Sequence, residues 1–272
     1  MDKRRMCPHC RAFITTDDRV CPYCHEKVGP RSADLRATGA ILGGFIPHAR
    51  FTTIIILLIN FGMFAATLAL SRGEDAAFNH ALDVLGAKNG IYILRFHQWW
   101  RLVTAGFLHG GWVHILMNSW VLFDLGAQVE EVYGTSRMVV FYFVSTVFGF
   151  LASTLWNPLA GSVGASAGIF GLIGAMIALG VRHRSALGDH IRALYTRWAI
   201  YGIVFGLLPM FHIDNAAHLG GLTAGFCAGY VAGLPRVAGG VNESLWKILS
   251  FVCMGLTAIC FFEMYLWFAA QR

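Results

Sequence analysis

Charged residues are scarce in this sequence of 272 residues: Asp, Glu, Lys and Arg together make up 13% of it, whereas 56% is hydrophobic. This balance excludes a soluble domain of the same length. Residues 1–50 also lack the short apolar stretch of a secretory signal, because they open with charges and cysteine pairs. The long apolar runs that follow predict an all-α polytopic membrane protein embedded in a lipid bilayer.

The net charge of +6 does not by itself indicate a nucleic-acid partner. Membrane proteins collect lysine and arginine in their cytoplasmic loops, so a basic balance has an explanation without nucleic acid. The cysteine-rich N-terminus also lacks the interleaved basic and aromatic residues typical of a nucleic-acid interface. No nucleic-acid partner is therefore predicted.

Seven apolar runs are candidates for membrane-spanning helices: residues 51–71, 112–129, 138–155, 166–181, 198–211, 216–233 and 246–270. They predict a six-span core at 51–235, followed by a loop and a seventh transmembrane helix at 236–272. Residues 72–108 are too polar to span and too apolar for a linker, and their aromatic and amphipathic pieces predict an interfacial segment.

The basic residues orient the chain in the membrane. With a cytoplasmic N-terminus, most of the 21 lysines and arginines lie on the cytoplasmic side. They include a basic loop expected between the fourth and fifth spans, which contains Arg182, Arg184, Arg192 and Arg197. Seven spans then place the C-terminus on the outer face, and we expect the cell (inner) membrane as the location.

Four cysteines near the N-terminus form two CxxC pairs with ten residues between them: Cys7, Cys10, Cys21 and Cys24. This spacing matches a tetrahedral site of four thiolates, and it resembles a zinc ribbon. Residues 1–28 are too few to fold around an apolar core of their own. A structural zinc ion would supply the folding energy, about 10–16 kcal/mol in small zinc modules. Residues 29–50 are predicted to be a linker, and the module to be a structural cap or a docking site for a cytosolic partner.

Ser166 lies in a segment of small residues at the start of the fourth span, and His218 lies at the start of the sixth. Small residues recur along both spans, which allows close backbone approach. Packing alone is the alternative explanation for each residue. The predicted orientation, however, places both at the same depth near the outer face. It also places His114 and Asn118 of the second span in the same layer, four residues apart on one helical face.

A polar layer of this kind supports nucleophilic catalysis. Neutral His218 is the natural base for the Ser166 hydroxyl. Asp214 is the nearest acidic residue, but we expect it in the preceding loop, so the prediction is a Ser–His dyad. The side chains of His114 and Asn118 are candidate donors to an oxyanion, together with the Ser166 backbone N–H. Gly164 would leave room for the scissile carbonyl.

The core resembles the rhomboid intramembrane serine proteases. The residues that carry the resemblance are Trp100-Arg101, His109, the segment from His114 to Asn118, Gly126, the segment from Glu130 to Gly134, the segment from Gly164 to Gly168, and the segment from Ala217 to Gly221. The resemblance implies Ser166 as nucleophile, His218 as base, and His114 with Asn118 around the oxyanion, without a cofactor for catalysis. It implies transmembrane helices of other proteins as substrates, cut near the outer surface.

One residue departs from the family pattern, and two other functions compete with proteolysis. Phe170 falls where many relatives have a tyrosine that packs on the catalytic histidine, so stacking is retained without a hydroxyl. A catalytically silent rhomboid-like protein that binds or escorts transmembrane helices is the main alternative, although Ser166 and His218 are both present. A transporter or channel is disfavoured, because the inner halves of the fourth and sixth spans are glycine and aliphatic.

Overall fold

The computed structural model describes residues 4–7, 9, 10, 12–15, 18–26, 28, 50–72, 74–208, 213–233 and 241–271. The chain divides into two compact units, Met1–His48 and Ala49–Arg272. The predicted linker at 29–50 lies outside the described residues, apart from Arg50. The predicted boundary between 235 and 236 lies outside them as well.

The first unit contains a two-stranded antiparallel sheet. Strand β1 (Arg4–Met6) pairs with β2 (Phe13–Thr15), and Met6 lies opposite Phe13. Among its described residues, four form a buried apolar cluster: Cys7, Ile14, Cys21 and Val28. Two of the four are cysteines, so the centre of this unit is a set of thiols with little hydrocarbon around it.

Within the described residues, the second unit is formed by ten α-helices and a 3-10 turn at Ala105–Phe107. The helices are α1 (Phe51–Ser71), α2 (Asp75–Val84), α3 (Gly90–Phe96), α4 (Arg101–Thr104), α5 (Trp112–Tyr133), α6 (Thr135–Trp156), α7 (Ser166–Arg182), α8 (Ala186–Phe205), α9 (Asn215–Ala232) and α10 (Val241–Ala269). Each of the seven predicted spans overlaps one long helix, α1 or one of α5 to α10, although the bounds differ, most of all for α8. The three short helices α2 to α4 form the segment predicted to lie at the interface.

Three of these helices are long and apolar enough to cross a membrane by length and composition alone: Phe51–Ser71, Thr135–Trp156 and Glu243–Ala269. Helix α7 is apolar but has only 17 residues. Helix α5 is long enough, with 22 residues, but it contains His114, Asn118 and Asp124, which lower its hydropathy. The all-α membrane architecture predicted from the sequence is confirmed.

The predicted start of the fifth span was wrong. Helix α8 begins at Ala186, well before residue 198, and it ends at Phe205. Arg192 and Arg197, which were predicted in a loop, are therefore helical, and both are exposed. Ser185 caps this helix, because its side chain accepts a hydrogen bond from the Gly188 N–H. Exposed arginines are compatible with a helix that extends beyond the apolar part of the span.

Helix α7 lies at the centre of the second unit and packs against α5, α6, α8 and α9. Glycines allow α7 and α9 to approach until their backbones touch. A Cβ on Gly225 would collide with the backbone of Gly171, and a Cβ on Gly229 would lie 2.7 Å from the Ala175 Cα. The two helices are parallel, since contacts advance along both in the same direction. The small-residue stripes seen in the sequence therefore hold these two helices together.

Helix α10 is attached to the core near both of its ends. Near its start, the Arg137 guanidinium of α6 donates to both carboxylate oxygens of Glu243, at 2.6 and 3.1 Å. Near its end, the rings of Trp267 and Tyr92 meet edge to face with their centroids 5.7 Å apart. Because Tyr92 belongs to α3, the last described helix also supports the segment between α1 and α5.

Arg101 organises that segment from its interior. The residue is fully buried, and one guanidinium nitrogen donates to the backbone oxygens of Asp83 and Ala87 at 2.8 and 2.9 Å. Its Nε donates to the Gln98 side chain at 2.6 Å. A single side chain thus links α2, α4 and the turn between α2 and α3.

Candidate active site

Ser166 is the first residue of α7 and is half-buried. The chain reaches it through Gly164, whose φ of +131° lies in the region that favours glycine. The Gly164 N–H donates to the Ala105 oxygen at 2.9 Å, so the approach to the serine is fixed against the 3-10 turn. The hydroxyl therefore lies on a short segment whose backbone is held in place from outside α7.

His114 and Asn118 face this segment from α5. A Cβ on Gly164 would lie 2.6 Å from His114 Nε2 and 3.4 Å from Asn118 Nδ2. A side chain at position 164 would fill the space between these nitrogens and the backbone beside Ser166. The structure therefore brings together Gly164 and the two α5 residues.

Both nitrogens that face Gly164 can act as hydrogen-bond donors. His114 Nδ1 accepts the Gly110 N–H at 3.3 Å, which leaves the proton of the neutral ring on Nε2. Asn118 is buried, and among the described residues its Nδ2 has no hydrogen-bond partner. A buried amide donor without a partner costs free energy, so this group has unused capacity to bind an acceptor.

His218 is the fourth residue of α9, and 6% of its surface is exposed. Its ring stacks on Phe170, with the centroids 4.0 Å apart and the planes 13° from parallel. Phe170 comes four residues after Ser166, so both lie on one face of α7. The stacking expected from the sequence is present, and it places His218 against the face that carries Ser166.

In the part of the chain that the structure describes, Ser166 and His218 make no direct hydrogen bond, and His218 Nδ1 has no partner. Long hydrogen bonds are common in active sites without substrate. Asp214 does not complete a triad. It caps α9, where one carboxylate oxygen accepts the Ala217 N–H at 3.0 Å and the other accepts the Ser153 hydroxyl.

The starts of α5, α7 and α9 lie at the same level. The backbone oxygen of Ala167 in α7 contacts Gly221 in α9. Ala167 comes one residue after Ser166, and Gly221 comes three residues after His218. Further along, the Tyr133 hydroxyl near the end of α5 donates to the Ala175 oxygen of α7 at 3.1 Å. All three helices are therefore parallel, and their N-terminal residues form one polar layer.

Sequence reasoning missed two residues that support this layer. Ser153 binds the Asp214 carboxylate, and Lys88 is fully buried against the segment that precedes Ser166. His109 was noted only as part of a motif. It is fully buried, and its ring centroid lies 5.2 Å from that of His114. Neither Ser153 nor Lys88 belongs to a recognisable pattern, so no sequence signal could have found them.

The first unit brings its four cysteines together. Their sulfur atoms all lie within 4.8 Å of one another. The Sγ atoms of Cys7 and Cys24 are 3.7 Å apart, and those of Cys10 and Cys21 are 3.6 Å apart. Four sulfurs at about 2.3 Å from a central zinc ion would be separated by about 3.8 Å. The cluster therefore has the size that a tetrahedral metal site requires.

The comparisons with known proteins agree with the arrangement of the second unit. A family model described as the rhomboid domain matches residues 96–235, which is more than half of the chain. The chain belongs to the rhomboid family. The match contains His114, Asn118, Gly164, Ser166 and His218, whereas the four-cysteine unit lies outside it.

Three relatives illustrate the range of the rhomboid family. RHOMBOID-like protein 1 of Arabidopsis thaliana is 38% identical over 152 residues, which are 55% of this chain and 39% of that protein. Rhomboid protease GluP of Bacillus subtilis is 33% identical over 175 residues, 64% of this chain and 34% of GluP. Rhomboid-like protease 3 of Toxoplasma gondii is 34% identical over 169 residues, 60% of this chain and 62% of that protein. The chain thus spans less than half of the length of the first two.

Proposed function

We propose that this rhomboid is an intramembrane serine endopeptidase that cuts peptide bonds in or near transmembrane helices of other membrane proteins. One observation carries the proposal. Two side-chain N–H donors of α5 face the backbone of Gly164, two residues before Ser166, and His218 stacks on the helix that begins at Ser166. Membership of the rhomboid family, and the naming of two relatives as proteases, support the same reaction.

Acylation begins with the Ser166 hydroxyl. His218 accepts the proton as Oγ attacks the scissile carbonyl carbon, and the carbonyl π electrons move onto oxygen. The stack on Phe170 supports this role, because it restricts the rotation of the imidazole ring. No carboxylate is assigned to orient His218, since both oxygens of Asp214 are engaged in the cap and with Ser153. The pair acts as a dyad.

The oxyanion of the tetrahedral intermediate needs donors aimed at its position. His114 Nε2–H and Asn118 Nδ2–H supply two, and the Ser166 N–H at the start of α7 supplies a third. In serine proteases, one such donor contributes roughly 10²–10³ in kcat. Position 164 must be glycine in this account, because any side chain would occupy the space of the oxyanion.

Collapse of the intermediate breaks the C–N bond, and His218 returns its proton to the departing amine. A water molecule then attacks the acyl-enzyme, with His218 again as base, and the second product leaves with a carboxylate. The substrate must present an extended stretch to Ser166, because a helix uses its own carbonyl groups in hydrogen bonds. Small or helix-destabilising residues near the cut would favour such unwinding.

Topology and the cysteine unit complete the proposal. We assign a cytoplasmic N-terminus, an active-site opening on the outer face and the cell (inner) membrane as the location, because the basic residues are concentrated on one side.

Residues 1–28 form a zinc-ribbon module joined by a linker at 29–50 to a protease core at 51–235, with the seventh span in 236–272. Cys7 and the other three cysteines would hold a structural zinc, and the module is available to a cytosolic partner.

The test is cleavage of a model single-span substrate by the full chain in liposomes. Wild type is compared with Ser166→Ala and His218→Ala, and with Ser162→Ala as a control for loss of a nearby hydroxyl. We expect cleavage by wild type and by the control, and a loss of at least 10³-fold in both dyad variants. Absence of cleavage by wild type, with equal binding of a helical peptide by all four proteins, would instead support the silent escort function.

A further inference from the structure

Lys88 is one of the two largest fully buried side chains in the described residues, yet the reaction above does not use it. It lies between α2 and α3. Its Nζ donates to the backbone oxygens of Asn157 at 2.7 Å and Ala160 at 2.9 Å. Two of the three donors of the ammonium are thus directed at the segment that joins α6 to α7.

The backbone of Lys88 contacts the same segment. Its N–H donates to the Ser162 oxygen at 2.9 Å, and the Ser162 N–H donates back to the Lys88 oxygen at 3.1 Å. Two residues later in the chain, the Gly90 N–H donates to the Pro158 oxygen at 2.9 Å. Residues 88–90 therefore hold residues 157–162 by five hydrogen bonds, of which the buried side chain supplies two.

Residues 157–162 lead directly to the residues of the candidate active site. Ser162 is two residues before Gly164 and four before Ser166. Beyond Ser162, the next fixed point is the hydrogen bond from the Gly164 N–H to Ala105. Without the ammonium, the backbone oxygens of Asn157 and Ala160 would lose their hydrogen bonds to Lys88. The Lys88 side chain is fully buried.

The ammonium also lies within electrostatic reach of the second catalytic helix. Burial lowers the pKa of Lys88, and the negative charge of Asp214 acts in the opposite direction. Asp214 caps the helix that carries His218. One cation thus lies near the N-terminal ends of both helices that carry the dyad.

We propose that Lys88 is a positioning residue: it fixes the segment 157–164 so that Gly164 keeps its spacing from His114 and Asn118. The ammonium holds the segment through two of its backbone oxygens, so no side chain of the segment is needed for the attachment. The inference rests on the proposed function, because the spacing matters only if Ser166 attacks a carbonyl held there. Misplacement by about 1 Å can cost about 10²-fold in rate.

The anchoring itself is tested without any activity. Hydrogen–deuterium exchange of the full chain in vesicles reports the backbone N–H groups of Ser162 and Gly164. In wild type we expect both to be protected more than tenfold relative to the exposed Gly161. In Lys88→Met we expect exchange of residues 159–164 to rise at least tenfold, with α5 and α9 unchanged. Rapid exchange of Ser162 in wild type would overturn the proposal, even if the variant failed to fold.

Kinetics test the consequence for the site. For a single-span substrate in liposomes, we expect Lys88→Met to lower kcat by roughly 10- to 100-fold, with KM within twofold of wild type. Lys88→Arg keeps a cation with N–H donors and should recover part of kcat. Arg95→Met removes an exposed cation from α3, in the same interhelical segment, and should change neither kcat nor exchange. Equal kcat in wild type and a folded Lys88→Met protein would overturn the proposal.

Failure of this inference is distinguishable from failure of the proposed function. If Ser166→Ala is inactive while Lys88→Met cleaves like wild type, only the positioning role is wrong. If Ser166→Ala cleaves like wild type, the proposed function is wrong, and the exchange measurements still decide whether Lys88 anchors the segment.

Discussion

The two units of this rhomboid hold themselves together in opposite ways. Among the described residues of the cysteine unit, the buried cluster has four members and two of them are thiols, so these residues contribute little hydrocarbon to its stability. The helical unit is built around α7, where glycines bring backbones into contact and buried leucines, isoleucines and phenylalanines surround them. With the zinc proposed above, the first unit would depend on a bound ion, whereas the second depends on close packing of its helices. Perturbations that act on one should leave the other intact.

Removal of the metal is expected to have the largest effect. Zinc binding contributes about 10–16 kcal/mol in small modules, so a chelator or Cys7→Ser should unfold the first unit. Trypsin should then cut at Arg19, and the zinc content should fall from one ion per chain to none. Cleavage of a membrane substrate should remain within twofold of wild type.

The matched control for this experiment is Cys227→Ser, which removes an exposed thiol of α9 that lies far along the sequence from the cluster. It should keep the zinc and the resistance to trypsin. Loss of substrate cleavage in a Cys7→Ser protein whose helical unit remains folded would contradict the independence of the two units.

Gly225→Leu should produce the largest effect in the helical unit. Its side chain would be forced into the backbone of Gly171, and overpacking of this kind costs about 3 kcal/mol. Thermal unfolding in detergent should shift to lower temperature by several degrees, and substrate cleavage should decline, because α7 and α9 carry the two residues of the proposed dyad. Zinc content should not change.

Two glycines with open surroundings provide controls for that substitution. Within the described residues, a Cβ built on Gly62 or Gly255 would have no atom within 4 Å other than those of its own stretch of helix. Leucine at either position should leave the unfolding temperature within about one degree of wild type. A comparable loss of stability at position 255 would show that helix packing is not specific to the glycine contacts between α7 and α9.

Substitution of Asp214 should have the smallest effect on stability, and its effect on kcat distinguishes a dyad from a triad. Asp214→Ala removes the cap of α9 and should cost about 1 kcal/mol. Asp214→Asn keeps a capping side chain and should be nearly neutral in stability. In a serine-protease triad, the same Asp-to-Asn change lowers kcat about 10⁴-fold. For a dyad we expect kcat of Asp214→Asn to remain within about tenfold of wild type, and a loss near that of a triad would show that Asp214 acts on His218.

Hydropathy was sufficient to predict the seven long helices and the polar layer, because a membrane forces apolar runs into helices and makes each polar residue conspicuous. It failed at the start of α8. Arg192 and Arg197 are exposed at the end of a span, and there a helix and a basic loop have the same composition. The boundary is set instead by the cap at Ser185, a local hydrogen bond that hydropathy does not measure.

The supporting residues were less predictable than the reacting ones. Ser166 and His218 each lie among small residues, and that context made them visible. Lys88 is a single lysine in a segment of mixed polarity, and its burial results from the fold of residues 157–162 around it. Ser153 resembles any serine of a transmembrane helix until Asp214 is placed beside it. Such roles depend on contacts between distant parts of the chain, which a single sequence does not reveal.

The attachment of α10 has a consequence for biosynthesis. The helix follows every residue of the active site in the chain, yet its Trp267 packs on Tyr92, and its Glu243 binds Arg137. A ribosome would therefore have released the serine and the histidine well before these supports exist. The segment between α1 and α5 would reach its final contacts only once α10 is inserted. If the chain is the protease proposed above, cleavage would then become possible only after the last described span is complete.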